Sequence, residues 1–372
     1  MLANGPVANV AAHDERADPG SSGVAESGSA CVTVDRRRRG HPQLAGELIR
    51  QQFPDLAGQQ LTMLATGWDN VAFLVGSQWL FRFPRRQIAV PGVQREIAVL
   101  PRLAARLPVP VPDPQFIGVP SPRYPWPFFG ARLLPGRELA DSGLTGSRRG
   151  RAAASVGHFL RALHEPGLVA LVGDAGLPVD PMRRATPSVR AVRARQVLDR
   201  LLRSGIWPGG SEVSQFLDQA ERGAAGTRNG AAGTGNGAAG TGNWAADPAN
   251  PGETQAADEL PGAGSLVVCH GDLHVRHVLV ARDGSATGVI DWGDLCLADP
   301  AVDLSIAYFG FAGRARADLL SAYGRPVSAQ RELAARTCAI SLAASLAEYA
   351  ADDGRAQLLQ ECLLGIRRAV AA

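Results

Sequence analysis

The chain has no lysine, so all 38 of its basic side chains are arginines, and any task that needs a strong cation falls to a guanidinium. Excess charge is missing too: 35 acidic residues leave a net charge of only +3, which gives no support for a nucleic-acid partner. No apolar run is long enough to cross a bilayer, and the N-terminus lacks a basic stretch followed by an apolar one. A cytoplasmic location with no membrane partner is therefore expected. Cysteine is sparse. Five thiols, unevenly spaced and without paired metal-ligand spacing, speak for reduced cysteines and against a disulfide framework or a zinc site. Apolar residues are plentiful: at 45% of 372 residues they suffice for the cores of two lobes of ordinary size.

Chemistry is concentrated in the C-terminal third. His270-Gly271-Asp272-Leu273 is followed, nineteen residues after its aspartate, by Ile290-Asp291-Trp292. Phosphoryl transfer from a nucleotide to a hydroxyl group needs two carboxylates, one to accept the hydroxyl proton and one to hold the magnesium that bridges the phosphates. A lone loop aspartate is as often a cap or turn residue. Two at this spacing, flanked by His-Gly and Trp-Gly, make that reading a poor one. Leu266 to Cys269 reads as a buried strand, Val278 to Val280 resumes the apolar pattern, and Asp283-Gly284 is a two-residue hairpin signal. Thr287 to Ile290 then reads as the returning strand. A hairpin of this kind brings Asp272 and Asp291 side by side at its open end.

These motifs resemble the aminoglycoside phosphotransferase family, small-molecule kinases with a protein-kinase-like fold. The resemblance implies an α+β, two-lobed architecture with an antiparallel N-lobe carrying one helix and a mainly helical C-lobe. It also implies ATP or GTP as co-substrate with Mg²⁺, Asp272 as catalytic base and Asp291 as metal ligand. The fifth residue after Asp272 is His277, where most of the family has asparagine. That variant is similar to the macrolide phosphotransferase branch. Magnesium prefers oxygen ligands, so His277 either ligates the metal or braces the catalytic loop through a ring N–H.

The resemblance continues towards the N-terminus. Thr66-Gly67-Trp68-Asp69-Asn70 joins two apolar runs, and in the family this turn lies over the nucleotide phosphates, which assigns Gly67 and Asn70 to the nucleotide. Its single glycine is equally compatible with an ordinary hairpin. Trp79 to Phe83 alternates, placing Arg82 opposite three aromatics, and a charge within so apolar a strand needs an anionic partner. Arg82 matches the phosphate-binding lysine of kinases. Glu96 shares a helical face with Val99, Leu100 and Leu103 and is the expected partner, although Pro101 should kink or shorten that helix near Val99 to Leu100. Ala131 to Gly136 matches the family's hinge, so backbone groups at Ala131 and Leu133 are expected to meet the nucleotide base.

The expected organisation is a disordered tail over 1–40, an N-lobe over 41–130, a hinge at 131–136 and a C-lobe over 137–372 with the catalytic hairpin at 266–292. Three tandem copies of GAAGT-x-N open a flexible low-complexity insertion over 223–264. Helices are expected over Arg148 to His164, Val189 to Leu202, Glu212 to Arg222 and, in two or more pieces, Ser328 to Val370. Asp299-Pro300 should start another, with Asp303 supporting the metal loop. The functional expectation is a kinase acting on a small-molecule hydroxyl, with aminoglycoside and macrolide antibiotics as acceptor candidates. Glu348, Asp352, Asp353 and Glu361 would line an acidic pocket, or else ordinary solvated helix faces. A nucleotide-binding module without turnover is the alternative, prompted by Arg82 and His277 standing where lysine and asparagine usually do. Protein kinase activity is weaker still, because no activation segment follows Asp291-Trp292-Gly293.

Overall fold

The computed structural model describes residues 42–226 and 266–372. The tail over 1–40 and nearly all of the repeat insertion lie outside them. The chain divides into two compact units, one of residues up to Ala105 together with Val111–Leu134, the other of Arg106–Pro110 together with Pro135–Ala372.

In the first unit a five-stranded antiparallel sheet has the order β1 (Leu61–Thr66), β2 (Asn70–Val75), β3 (Trp79–Pro84), β5 (Phe128–Arg132), β4 (Pro114–Gly118). The alternation along β3 puts Phe81 and Phe83 into an aromatic core with Phe73, Tyr124, Trp126 and Phe128, where Phe83 stacks on Phe128 at 4.2 Å. Truncating such a ring to alanine costs about 3–5 kcal/mol, so this core fixes the register that presents Arg82 on the opposite face. Two helices belong to this unit where one was expected: α1 (Pro42–Gln52), buried through Leu44, Leu48 and Ile49, precedes α2 (Val90–Ala104). Pro101 does not shorten the helix near Val99 to Leu100. α2 continues through it to Ala104, because only three residues follow and buried Val99, Leu100 and Leu103 hold the final turn in place.

The second unit is mainly helical, with α3 (Gly150–Leu163), α4 (Pro166–Leu171), α5 (Pro187–Arg203) and α6 (Ser211–Gly226) before the catalytic segment. The α6 helix runs four residues into the stretch assigned to the insertion. After the catalytic segment come α7 (Ala301–Phe309), α8 (Gly313–Tyr323), α9 (Ala329–Asp352) and α10 (Ala356–Val370). Gly157 lets α3 and α8 meet closely, since a Cβ there would stand 2.3 Å from the Leu319 carbonyl oxygen. A buried ion-pair triad, Arg149–Glu361–Arg368 with both contacts at 2.6 Å, ties α10 to the start of α3.

Two small sheets carry the functional loops. β7 (Val267–Cys269) pairs with β10 (Cys296–Ala298), and β6 (Arg137–Glu138), β8 (Val278–Val280) and β9 (Ala286–Val289) form the other. The β8–β9 turn spans three residues rather than two: Ala281 N–H donates to the Ser285 carbonyl at 2.9 Å, and Gly284 takes the left-handed position at φ +84°. Asp299 caps α7 by accepting from the Ala301 amide at 2.8 Å.

Candidate active site

The loop after β7 turns sharply at Gly271, whose φ is +89° and whose missing Cβ would lie 2.1 Å from the Asp294 carbonyl oxygen. Only glycine fits there. On either side of the turn the loop is anchored by buried groups. Asp303 of α7, fully buried, accepts from the His270 amide at 2.8 Å and the Gly271 amide at 3.0 Å, and faces His164 Nε2 at 3.3 Å. Burial pushes the Asp303 carboxyl up, but His164 and the His270 amide outweigh it and hold the group below its ordinary value. Asp303 therefore braces the catalytic loop and not the metal loop, contrary to expectation.

The link to the metal loop is His270. Its Nδ1 accepts from the Asp272 amide at 3.2 Å, so Nε2 carries the proton and donates to the Ile290 carbonyl at 2.9 Å. Burial and the neighbouring His277 lower its pKa, in keeping with a neutral ring. Trp292, also fully buried, packs on His270 at 4.7 Å and on Phe159 at 6.1 Å, and donates from Nε1 to the Val289 carbonyl. Asp291, between these two fixed residues, adopts φ +66°, a left-handed conformation that a non-glycine residue keeps only when its surroundings impose it.

His277 stands between the two acids. The β8–β9 register pairs its carbonyl with the Ile290 amide at 2.9 Å, which sets its side chain beside Asp291. Nδ1 donates to the Asp272 backbone carbonyl at 2.8 Å, leaving Nε2 3.5 Å from Asp291 Oδ2. An imidazole whose far N–H is held by a backbone carbonyl is in the usual posture of a metal-ligating histidine. His274 is stacked on it at 3.8 Å but wired in the opposite sense: Nδ1 accepts from the Arg276 amide at 3.3 Å, so the Nε2 proton points towards Asp272 Oδ2, 3.7 Å away. Burial, with His277 beside it, holds the His274 pKa well below its ordinary value. Asp272, His274 and His277 have potential ligand atoms within 4.8 Å of one another, but the rings face different acids: His274 Nε2 lies 3.7 Å from Asp272 Oδ2, beyond hydrogen-bond reach, and His277 Nε2 lies beside Asp291.

The described residues include two members of this site that the sequence gave no signal for. Arg184 Nη2 donates to Asp272 Oδ1 at 3.1 Å and to Asp294 Oδ2 at 2.8 Å. Asp294 directly follows the Asp291-Trp292-Gly293 motif but is given no role by it, and Arg184 stands in no periodic or motif context. Arg184 lies 88 residues before Asp272, and only tertiary structure joins them.

In the first unit, Glu96 of α2 meets Arg82 of β3 at 3.3 Å, with the glutamate 1% exposed. The Asn70 amide, its orientation assigned from the hydrogen-bond pattern, accepts from Arg82 Nη2 at 2.9 Å. Gly67 sits in the turn between β1 and β2, where Arg85 Nη1 donates to its carbonyl at 2.8 Å and Arg86 pairs with Asp69. Trp68, at the tip, is 75% exposed. Ala131 is buried within β5, whereas Leu133 is exposed and its amide is engaged by the Gln78 carbonyl at 2.7 Å, so that N–H is not left for a nucleotide base.

Comparison with known proteins bears on the family and the fold. The model of the APH family, described as phosphotransferase enzyme family, matches residues 60–336. The chain belongs to the phosphotransferase enzyme family. Among curated proteins, the uncharacterized protein YcbJ of Bacillus subtilis (strain 168) is 41% identical over 63 residues, which span 17% of this chain and only 20% of that relative. Among solved structures, the GDP complex of wild-type aminoglycoside 2'-phosphotransferase-IIIa is similar with a TM-score of 0.58 at 20% identity, over 89% of this chain and 99% of that one. A GDP and kanamycin complex of APH(2")-IIIa is similar with a TM-score of 0.57 at 21% identity, over 88% and 98% of the two chains. At such identities the likeness establishes the fold, the α+β kinase-like architecture of the phosphotransferase family. Among the described residues no helix of this phosphotransferase-family chain is long and apolar enough to cross a membrane.

Proposed function

We propose that this chain is a small-molecule kinase that transfers the γ-phosphoryl group of ATP or GTP to an acceptor hydroxyl, with Asp272 as general base and Asp291 and His277 as metal ligands. The observation that carries the reading is the single imidazole of His277 between the two carboxylates, bonded to the Asp272 backbone on one side and facing Asp291 with Nε2 at 3.5 Å on the other. A carboxylate oxygen and a ring nitrogen facing one another at 3.5 Å are a donor pair that a shared divalent cation would suit. Magnesium, when bound there, offsets the charge that develops on the phosphates.

The remaining work belongs to the chain. Asp272 orients the acceptor hydroxyl; as its oxygen bonds to the γ-phosphorus, the bond to the leaving nucleoside diphosphate breaks and the hydroxyl proton passes to the Asp272 carboxylate. Arg82, held by Glu96 and Asn70, is assigned to the nucleotide phosphates. Gly67 and the backbone near Ala131 are assigned to the nucleotide as well. The Leu133 assignment is confined to its carbonyl, since its amide is already engaged.

An aminoglycoside acceptor draws support from the kanamycin complex of a similar enzyme, and a macrolide from His277. The acidic pocket expected for a polycation is reduced, because Glu361 is buried between Arg149 and Arg368, and Glu348 is held at both carboxylate oxygens by Arg200. The test is consumption of ATP and GTP with Mg²⁺ against aminoglycosides, macrolides and small hydroxyl metabolites. Acceptor-dependent consumption supports the kinase. Nucleotide binding without consumption across the whole panel would favour the binding module instead.

A further inference from the structure

We infer that Arg184 is a positioning residue for the reaction, fixing the Asp272 carboxylate from a strained turn outside every motif described above; the inference rests on the kinase reading of Asp272. Its guanidinium is nearly buried, and Nη2 is shared by two carboxylates, Asp272 Oδ1 at 3.1 Å and Asp294 Oδ2 at 2.8 Å. Nε is buried and has no acceptor among the described residues. A guanidinium that leaves one buried N–H unmatched while dividing another nitrogen between two acids is placed for those acids, not for the greatest number of hydrogen bonds.

The turn that delivers it is strained and over-determined. Asp180 and Arg183 are both left-handed, at φ +32° and +49°, although neither is glycine. The Asp180 carboxylate accepts from the amides of Arg184 at 2.7 Å and Ala185 at 2.8 Å, and buried Arg190 donates to the carbonyls of Arg183 and Met182. Upstream, Val179 forms a parallel bridge with Leu297 of β10, bonded through Asp180 N to Leu297 O at 2.8 Å and Leu297 N to Pro178 O at 2.9 Å. The other neighbour of β10 is β7, which runs directly into the catalytic loop. Arg184 and Asp272 are thus suspended from the same small sheet, and their relative position follows from backbone pairing.

The consequence for chemistry is geometric. With Oδ1 tied to Arg184, the carboxylate is held in one rotamer, and Oδ2, which His274 Nε2 faces at 3.7 Å without a hydrogen bond, is the oxygen left to receive a hydroxyl proton. A base free to rotate spends less time in the attacking arrangement, and a misplacement of about 1 Å costs roughly a hundredfold in rate.

The test is a double-mutant cycle on phosphate release from Mg–ATP and Mg–GTP, in which water takes the acceptor's place, with thermal melting of every variant as a control. Arg184→Ala is expected to lower kcat by about 10- to 100-fold with nucleotide KM within about threefold, and Arg184→Lys to recover part of the loss. In an Asp272→Asn background, Arg184→Ala should change kcat by less than about threefold, because the group it positions is gone. Asp294→Ala, which removes the second anchor, should give a smaller kcat loss of the same non-additive kind and serves if Arg184→Ala fails to fold. Losses that multiply in the double variants, or a raised KM with unchanged kcat, would overturn the inference. Full turnover by Asp272→Asn alone would instead remove the base, and the kinase reading with it.

Discussion

His277 Nε2 lies 3.5 Å from Asp291 Oδ2, while Nδ1 donates to the Asp272 carbonyl. The proposed role of His277 as a metal ligand rests on that arrangement. Imidazole suits manganese better than magnesium, so Mn²⁺ should support turnover at lower concentration than Mg²⁺ does. Replacing His277 by alanine should weaken metal affinity by about tenfold or more, as measured by the electron paramagnetic signal of free Mn²⁺. Unchanged Mn²⁺ affinity would confine His277 to bracing the loop.

Asp291 is held in the left-handed region at φ +66°, where glycine is at ease and a side chain is not. Asp291→Gly should therefore leave the melting temperature unchanged or higher while turnover falls by about a hundredfold or more. A clear drop in melting temperature would show that the carboxylate stabilises the fold rather than serving only the reaction.

The reverse is expected at Gly271. A methyl group there would sit 2.1 Å from a backbone oxygen, and φ +89° adds strain. Gly271→Ala should cost at least about 2 kcal/mol in chemical denaturation, with activity lost through the shifted loop. Wild-type stability would contradict the close approach of the loop to Asp294.

Acid should destabilise the catalytic loop in a defined window. His270 and His274 are kept neutral by burial, with folded pKa values below 6.5, whereas in the unfolded chain they take up protons near that value. Stability is full above 6.5 and declines below it, by about 1.4 kcal/mol per pH unit for each histidine, until the folded pKa is reached. Denaturation of wild type and His274→Asn between pH 7.5 and 5.5 checks this; equal slopes would show that His274 takes no part.

Much of the site was legible because its information is local. Asp272, His277 and Asp291 flank one hairpin, β8–β9, and a short run of apolar residues, a turn signal and a return strand suffice to bring them together. Arg82 and Glu96 were legible for another reason: a charge in an apolar strand and a charge on an apolar helix face each require a partner. Arg184 left no such trace, because its neighbourhood is polar and its partner depends on a bridge to β10, a three-residue strand too short to show in the sequence. The role of Asp303 was misplaced for the same reason. Its position in α7 was evident, but which backbone amides it reaches is decided by tertiary packing. Pro101 shows the converse, a local signal overridden by the burial of Val99, Leu100 and Leu103.

The most direct measurement of the central claim compares wild type with Asp272→Asn for both nucleotide affinity and phosphoryl transfer from Mg–ATP and Mg–GTP. Nucleotide affinity should be retained and turnover should fall by about a hundredfold or more, as for loss of a general base. Equal turnover in the two proteins would contradict the account.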